Sequence, residues 1–145
     1  MIYLGADHAG FALKEELKQY LLGLAMEVED LGAFELNPTD DYPDFIVPVA
    51  KKVAESPDQN RGVVFGGSGQ GEAIAANKIK GIRAAVYYGG SLDIVKLSRQ
   101  HNNANILSLG ARFLTKEQAI EVVKIWLETT FEGGRHQRRI EKIEP

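Results

Sequence analysis

Gly62 to Lys78, read as GVVFGGSGQGEAIAANK, constrains the chain more than any other stretch. Val63-Val64-Phe65 is a short apolar run of the kind buried on both faces of a parallel sheet. Gly66 to Gly71 (GGSGQG) is too rich in glycine for helix or strand, so it forms a tight loop. Glu72-Ala-Ile-Ala-Ala-Asn-Lys78 is built from good helix formers and starts a helix. A strand, a glycine loop and a helix N-terminus in succession make an anion cradle. Glycine lets backbone N–H groups come close to a ligand, and the unpaired N–H groups and dipole of the helix favour negative charge.

Two phosphate motifs nearly fit. A P-loop requires Lys-Ser/Thr after its last glycine, and here Gly71 is followed by Glu72-Ala73. The dinucleotide fingerprint requires glycine where Glu72 stands. The loop therefore suits an anion or oxyanion, with a carboxylate at its rim. Such a carboxylate can draw a proton from carbon next to a carbonyl. On spacing alone, Glu72 reads more readily as an ordinary first-turn acid favoured by the helix dipole.

The rest of the chain alternates strand-like and helix-like segments. Ile2 to Ala6 is a first buried strand ending at Asp7-His8. Phe11 to Leu22 carries Phe11, Leu13, Leu17, Tyr20 and Leu21 at helical spacing, opposite Lys14, Glu15 and Lys18. Met26 to Leu31 alternates as a second strand near an edge. Asp41 is an N-cap candidate with Pro43 in the first turn, leading a helix through Phe45, Ile46, Val49, Ala50 and Val53 that Pro48 should kink or delay. Ile82 to Tyr88 is a fourth strand. Leu92 to Gln100 is a helix with Leu92, Val95 and Leu97 inward, and Ile106 to Leu109 is a fifth strand. Thr115 caps a helix whose stripe is Ala119, Val122, Val123, Trp126 and Leu127.

This alternation predicts an α/β fold: a three-layer, doubly wound, parallel five-stranded sheet of flavodoxin or Rossmann-like type. The expected strand order is 2-1-3-4-5, with the switch point between strands one and three. Asp7-His8 and the glycine loop then face one crevice. With 145 residues the chain is one domain, 1–145, whose last part, 129–145, is a basic amphipathic tail. The tail has too few apolar anchors to hold itself, so a second copy of the chain is its simplest docking surface.

Charge and composition exclude several classes. Apolar and charged residues at 44% and 26% fit an ordinary soluble domain, and a net charge of -3 gives no field for nucleic acid or an anionic membrane. The absence of cysteine excludes thiolate catalysis and thiolate metal sites. No signal peptide and no spanning apolar run is visible, so a cytoplasmic protein is expected. His8, His101 and His136 sit at turns, and no His/Asp/Glu spacing resembles a metal site. His101 opens HNNAN, where it either shuttles protons or simply ends a helix. If the tail is helical, Arg135 and His136 share a face with Arg139, a cluster fit for phosphate or a solvated basic surface. Arg112 follows strand five at a carboxyl end.

Six ordered motifs carry a resemblance over nearly the whole chain. They are Gly5-Ala-Asp-His-Ala-Gly10, Asp41-Tyr-Pro43, Gly66-Gly-Ser-Gly-Gln-Gly-Glu72, Ala75-Ala-Asn-Lys78, Arg99-Gln-His-Asn102 and Gly133-Gly-Arg-His-Gln-Arg-Arg139. The chain resembles the ribose-5-phosphate isomerase B family, which includes the subunits of galactose-6-phosphate isomerase. Many members carry a cysteine base at the position of Gly66. This chain resembles the branch in which the glutamate matching Glu72 takes that role.

The resemblance implies an aldose–ketose isomerase of the pentose phosphate pathway, interconverting ribose 5-phosphate and ribulose 5-phosphate through a cis-enediolate. It implies Glu72 as the base and His101 as the residue that opens the sugar ring. The backbone of Gly67, Ser68, Gly69, Gln70 and Gly71, with the Ser68 side chain, would hold the oxyanion. Asp7 would bind sugar oxygens and assist ring opening, His8, Arg135 and Arg139 would hold phosphate, and Tyr42 would line the site. Asn102 and Arg112 would reach in from a partner subunit of a homodimer, which could pair further into a tetramer. No metal or organic cofactor is implied. Two alternatives stay open: isomerisation of another sugar phosphate (allose or galactose 6-phosphate, or a tetrose phosphate), and a non-catalytic phosphosugar-binding module.

Overall fold

A computed structural model describes residues 1–144. Five strands form one parallel sheet: β1 (Ile2–Ala6), β2 (Val28–Asp30), β3 (Arg61–Gly66), β4 (Ala84–Tyr87) and β5 (Ile106–Gly110). Six α-helices accompany them: α1 (Phe11–Gly23), α2 (Pro43–Ala54), α3 (Gln70–Asn77), α4 (Asp93–Gln100), α5 (Lys116–Glu128) and α6 (Arg135–Ile143). The α/β class and the three layers agree with the sequence pattern. One core joins Leu4, Phe65, Leu107 and Leu109 to Leu17 and Leu21 of α1, Val95 of α4 and Trp126 of α5. The other joins Tyr3, Val64 and Ile106 to Ile46, Val49 and Val53 of α2 and Ala76 of α3.

The strand order is β2-β1-β3-β5-β4, so the expected order 2-1-3-4-5 is corrected at its last two places. The two cores give the reason. α1 and α4 cover the same face, while α2 and α3 cover the other. Parallel crossovers keep one hand, so a step in one direction carries its helix on one face and the reverse step carries it on the opposite face. The chain steps outward from β1 to β2 under α1, then back past β1 to β3 and onward to β4 under α2 and α3. With α4 on the face of α1, the next step must reverse, and β5 enters between β3 and β4. Burial agrees. Every residue of β5 is buried, whereas most of β4 is half-exposed, as befits an edge.

Several local expectations change. α2 starts at Pro43 with Tyr42 at the capping position, and it runs through the exposed Pro48 without interruption. Lys14, assigned to the outer face of α1, is fully buried, with Nζ 2.6 Å from Asp30 Oδ2 and 2.9 Å from Glu15 Oε1. It lies on the stripe of Leu17 and Leu21 and carries its own counter-ion inward. In α4, Leu97 is exposed, and Val95, Ser98 and Arg99 face in. Thr115 caps α5 in a full capping box with Gln118. The tail is helical and rests on its own chain. Ile140 is buried, the Glu132 N–H donates to the Gln100 carbonyl at 3.1 Å, and Arg83 pairs with Glu144 at 2.7 Å. No described helix is long and apolar enough to cross a membrane.

Candidate active site

The exchange of β4 and β5 matters for the site. The carboxyl ends of β1, β3 and β5 are neighbours, so Asp7-His8, the glycine loop and Arg112 sit side by side. β5 shapes the loop directly. Ser108 Oγ donates to the Gly69 carbonyl at 2.6 Å, and the Arg112 N–H donates to the Gly67 carbonyl at 3.0 Å. Gly69 has φ +79°, a conformation that glycine adopts without strain, and it leads into α3. The carbonyls of Gly67 and Gly69 are thus tied to the strand side. Among the described residues, the N–H groups of Gly67, Ser68 and Gly69 have no protein acceptor. The Ser68 hydroxyl accepts from the Gln70 N–H at 3.3 Å. Free N–H groups at a helix N-terminus are what a developing oxyanion needs.

Glu72 lies in the first turn of α3 and is buried. Its carboxyl lies over the Cα of Gly66, in space that a Cβ at that position would need. Burial pushes its pKa above the usual glutamate value, and the neighbouring charge of Asp7 adds to the rise. A hydrogen bond from its own N–H opposes the shift. An ordinary first-turn acid would point to solvent and keep an unshifted pKa. Glu72 does neither, and its raised pKa brings it closer to that of an efficient base near neutral pH.

The surrounding groups come from three segments. Asp7, buried, accepts from the N–H groups of Ala9 at 3.0 Å and Gly10 at 3.2 Å, which fixes the carboxylate at the start of α1. His8 Nδ1 lies 2.7 Å from Asp40 Oδ1, and the same oxygen accepts the His8 N–H at 3.0 Å. The carboxylate holds Nδ1–H as donor and orients the half-exposed ring. The Tyr42 ring packs on Gly71, where a Cβ would come within 2.8 Å of it. The Arg112 guanidinium lies on Gly67, 3.0 Å from where a Cβ would be. Arg112 therefore stands beside the glycine loop of its own chain. The sequence reading missed Asp40; it lies in a loop with no periodicity, and only its contact with His8 reveals it.

His101, Asn102, Arg135 and Arg139 are not brought to this crevice. α4 runs back from the carboxyl end of β4, so His101 and Asn102 lie at its far end, next to the amino ends of the strands. There the His101 ring stacks on His136, with centroids 4.1 Å apart and planes 13° off parallel. Arg135 and Arg139 are exposed on α6 and make no ion pair among the described residues. His136 does not join them as a third cation. It is buried, and desolvation with the charges of its neighbours lowers its pKa. The candidate residues of one chain thus fall into two groups at opposite ends of its sheet.

The ribose/galactose isomerase family model matches residues 2–143. The chain is 44% identical over 142 residues to the probable ribose-5-phosphate isomerase B of Mycoplasma genitalium, covering 98% of this chain and 92% of that one. It is 41% identical over 141 residues to ribose-5-phosphate isomerase B of Mycolicibacterium paratuberculosis, covering 97% and 87%. The crystal structure of the Mycoplasma genitalium protein with bound ribulose-5-phosphate superimposes with a TM-score of 0.94, at 44% identity and with 98% and 92% of the two chains covered. Ribose-5-phosphate isomerase B of Clostridium thermocellum superimposes with a TM-score of 0.92, at 44% identity, covering 99% and 94%. Agreement of this depth, from the first strand to the tail helix, makes the chain a member of the ribose/galactose isomerase family.

Proposed function

We propose that the protein interconverts ribose 5-phosphate and ribulose 5-phosphate, with Glu72 as the base. The buried Glu72 carboxyl, lying over Gly66 beside free loop N–H groups and raised in pKa, carries this reading. His101 opens the furanose ring, moving a proton between the anomeric hydroxyl and the ring oxygen to give the aldehyde. Glu72 then takes the C2 proton, and electron density shifts onto the C1 oxygen, where the N–H groups of Gly67 to Gly71 receive it with the Ser68 hydroxyl. The cis-enediolate collapses when Glu72 returns its proton to C1 and the proton on O2 passes to O1, leaving the ketose with a C2 carbonyl and a C1 hydroxyl. Asp7 orients sugar hydroxyls and Tyr42 walls the crevice.

Phosphate is held by His8 and Arg112 from one chain and by Arg135 and Arg139 from another. A carbon acid and its ring-opening partner must act on one sugar, and the two half-sites lie at opposite ends of a single chain. A homodimer that sets the α4–α6 end of one protomer over the glycine loop of its partner meets that requirement. The cytoplasm, where sugar phosphates are held, is the compartment this chemistry fits. The test is Glu72→Gln, which should abolish ketose formation and exchange of the C2 hydrogen with solvent while the sugar phosphate still binds. Turnover near the wild-type rate would refute the assignment of the base.

A further inference from the structure

His101, Glu132 and His136 each offer one ligand atom, and these three atoms lie within 4.8 Å of one another. Glu132 Oε2 is 3.5 Å from His136 Nε2 and 3.9 Å from His101 Nε2. The ring of His136 is buried, yet its Nε2 has no hydrogen-bond partner. A buried ring nitrogen without a partner is costly, and this one is a member of the cluster. The other such cluster, Asp7 with His8 and Asp40, is already closed by hydrogen bonds and belongs to the crevice described above.

We propose that His101, Glu132 and His136 form a binding site for a borderline transition metal such as Zn²⁺, and that metal bound there stops turnover by occupying His101. Zn²⁺ takes imidazole nitrogen and carboxylate oxygen at about 2.0–2.2 Å, and tetrahedral angles then set ligand atoms about 3.3 Å apart. The Glu132–His136 spacing of 3.5 Å is nearly there, and His101, which is partly exposed, joins by turning its ring out of the stack on His136 so that Nε2 faces the metal. Two imidazoles and one carboxylate leave a fourth position for water. Arg135 and Arg139, which flank His136 on α6 and are exposed, oppose a cation electrostatically. The site is therefore weaker than a closed structural zinc site, and sugar phosphate bound at those arginines competes with it.

The inhibitory consequence rests on the ring-opening role given to His101, whereas binding does not. The experiment is titration of the purified full-length protein with Zn²⁺ against a chromophoric chelator, followed by ribose 5-phosphate turnover at the same metal concentrations. Wild type is expected to take one Zn²⁺ per chain and to lose roughly 100-fold in kcat/KM at saturation, with recovery on adding EDTA. Glu132→Gln, a change at an exposed side chain, is expected to keep basal turnover, bind Zn²⁺ at least tenfold more weakly and escape inhibition. His136→Asn should lose binding as well. Equal Zn²⁺ affinity in wild type and Glu132→Gln, or equal inhibition of both, overturns the site. Binding that depends on Glu132 but leaves wild-type turnover intact supports the site and overturns the role of His101.

Discussion

Gly66→Ala tests whether the position of Glu72, and not merely its presence, makes the site. A Cβ at position 66 would meet three atoms before any others, and all three belong to the Glu72 carboxyl. Gly66 ends a strand without a positive φ, so alanine suits its backbone conformation. The conflict with these three atoms is relieved by turning the Glu72 side chain away from the loop. That displacement exceeds an ångström, and a misplacement of about 1 Å in a reacting group costs on the order of 100-fold in rate. Stability should move the other way. The carboxyl leaves a site where burial raises its pKa, and replacing glycine stiffens the unfolded chain, worth about 0.4–1 kcal/mol. The expected result is a kcat at least about 100-fold lower, a melting temperature unchanged or slightly higher, and a KM within about threefold of wild type. A coupled assay for ketose formation and a urea melt suffice. In a Glu72→Gln background the same alanine should cost almost no further activity, because the two changes act on one group. A Gly66→Ala protein with near wild-type kcat, or one destabilised by more than about 2 kcal/mol, would refute the placement of the carboxylate.

Further outcomes follow from other contacts. Mixing inactive Glu72→Gln chains with inactive His101→Asn chains, unfolding and refolding them together, should restore about a quarter of wild-type activity, since half the dimers are mixed and half of their sites are intact; no recovery would refute the shared site. Lys14→Ala leaves the largely buried Asp30 carboxylate with Lys18 and the Gly32 N–H as its partners and should cost about 2–3 kcal/mol in urea unfolding. Lys18→Ala, at the more exposed member of the cluster, should cost under about 1 kcal/mol. The raised pKa of Glu72 means that the folded state holds its proton more tightly than the unfolded state. Its contribution is fully present below the ordinary value of 4.5 and is lost as pH rises through the folded pKa. Glu72→Gln should therefore be more stable than wild type at pH 7.5, with the gap closing by pH 4.5, and a constant gap in pH-dependent urea melts would contradict the shift.

The parts of the site that are local in sequence were legible there. A glycine loop between a buried strand and a helix has few uses, and Gly69 with its positive φ and Glu72 in the first turn of α3 fill the roles that pattern gives them. What depends on which face a helix covers was not legible. α4 shows the same mix of apolar and polar residues on either side of the sheet, so nothing in its residues places β5 inside β4. Yet that placement sets Arg112 against Gly67. Two misassigned residues did leave a signal. Lys14 falls on the stripe of Leu17 and Leu21, and His136 sits one turn before Ile140, the residue α6 buries most completely besides it. In both cases the apolar stripe fixes the helix's rotation and the polar residue is carried inward with it, to meet Asp30 in one case and His101 in the other.

Asp40 and Glu132 left no such signal, because both lie in loops and gain meaning only from a histidine brought beside them by the fold. The same limit applies, one level higher, to the reaction itself. Through its resemblance to the family, sequence can propose Glu72 as a base and His101 as a ring-opening group. It cannot bring them to one sugar. In a doubly wound sheet a helix returns the chain from the carboxyl edge to the amino edge, so a residue at the end of α4 is kept from a residue at the start of α3 by the length of the strands between them. No rearrangement of side chains closes that distance. Under the proposed reading the missing proximity is supplied by symmetry: a twofold axis turns the amino edge of one protomer onto the carboxyl edge of the other, and two half-sites in each chain become two whole sites in the pair.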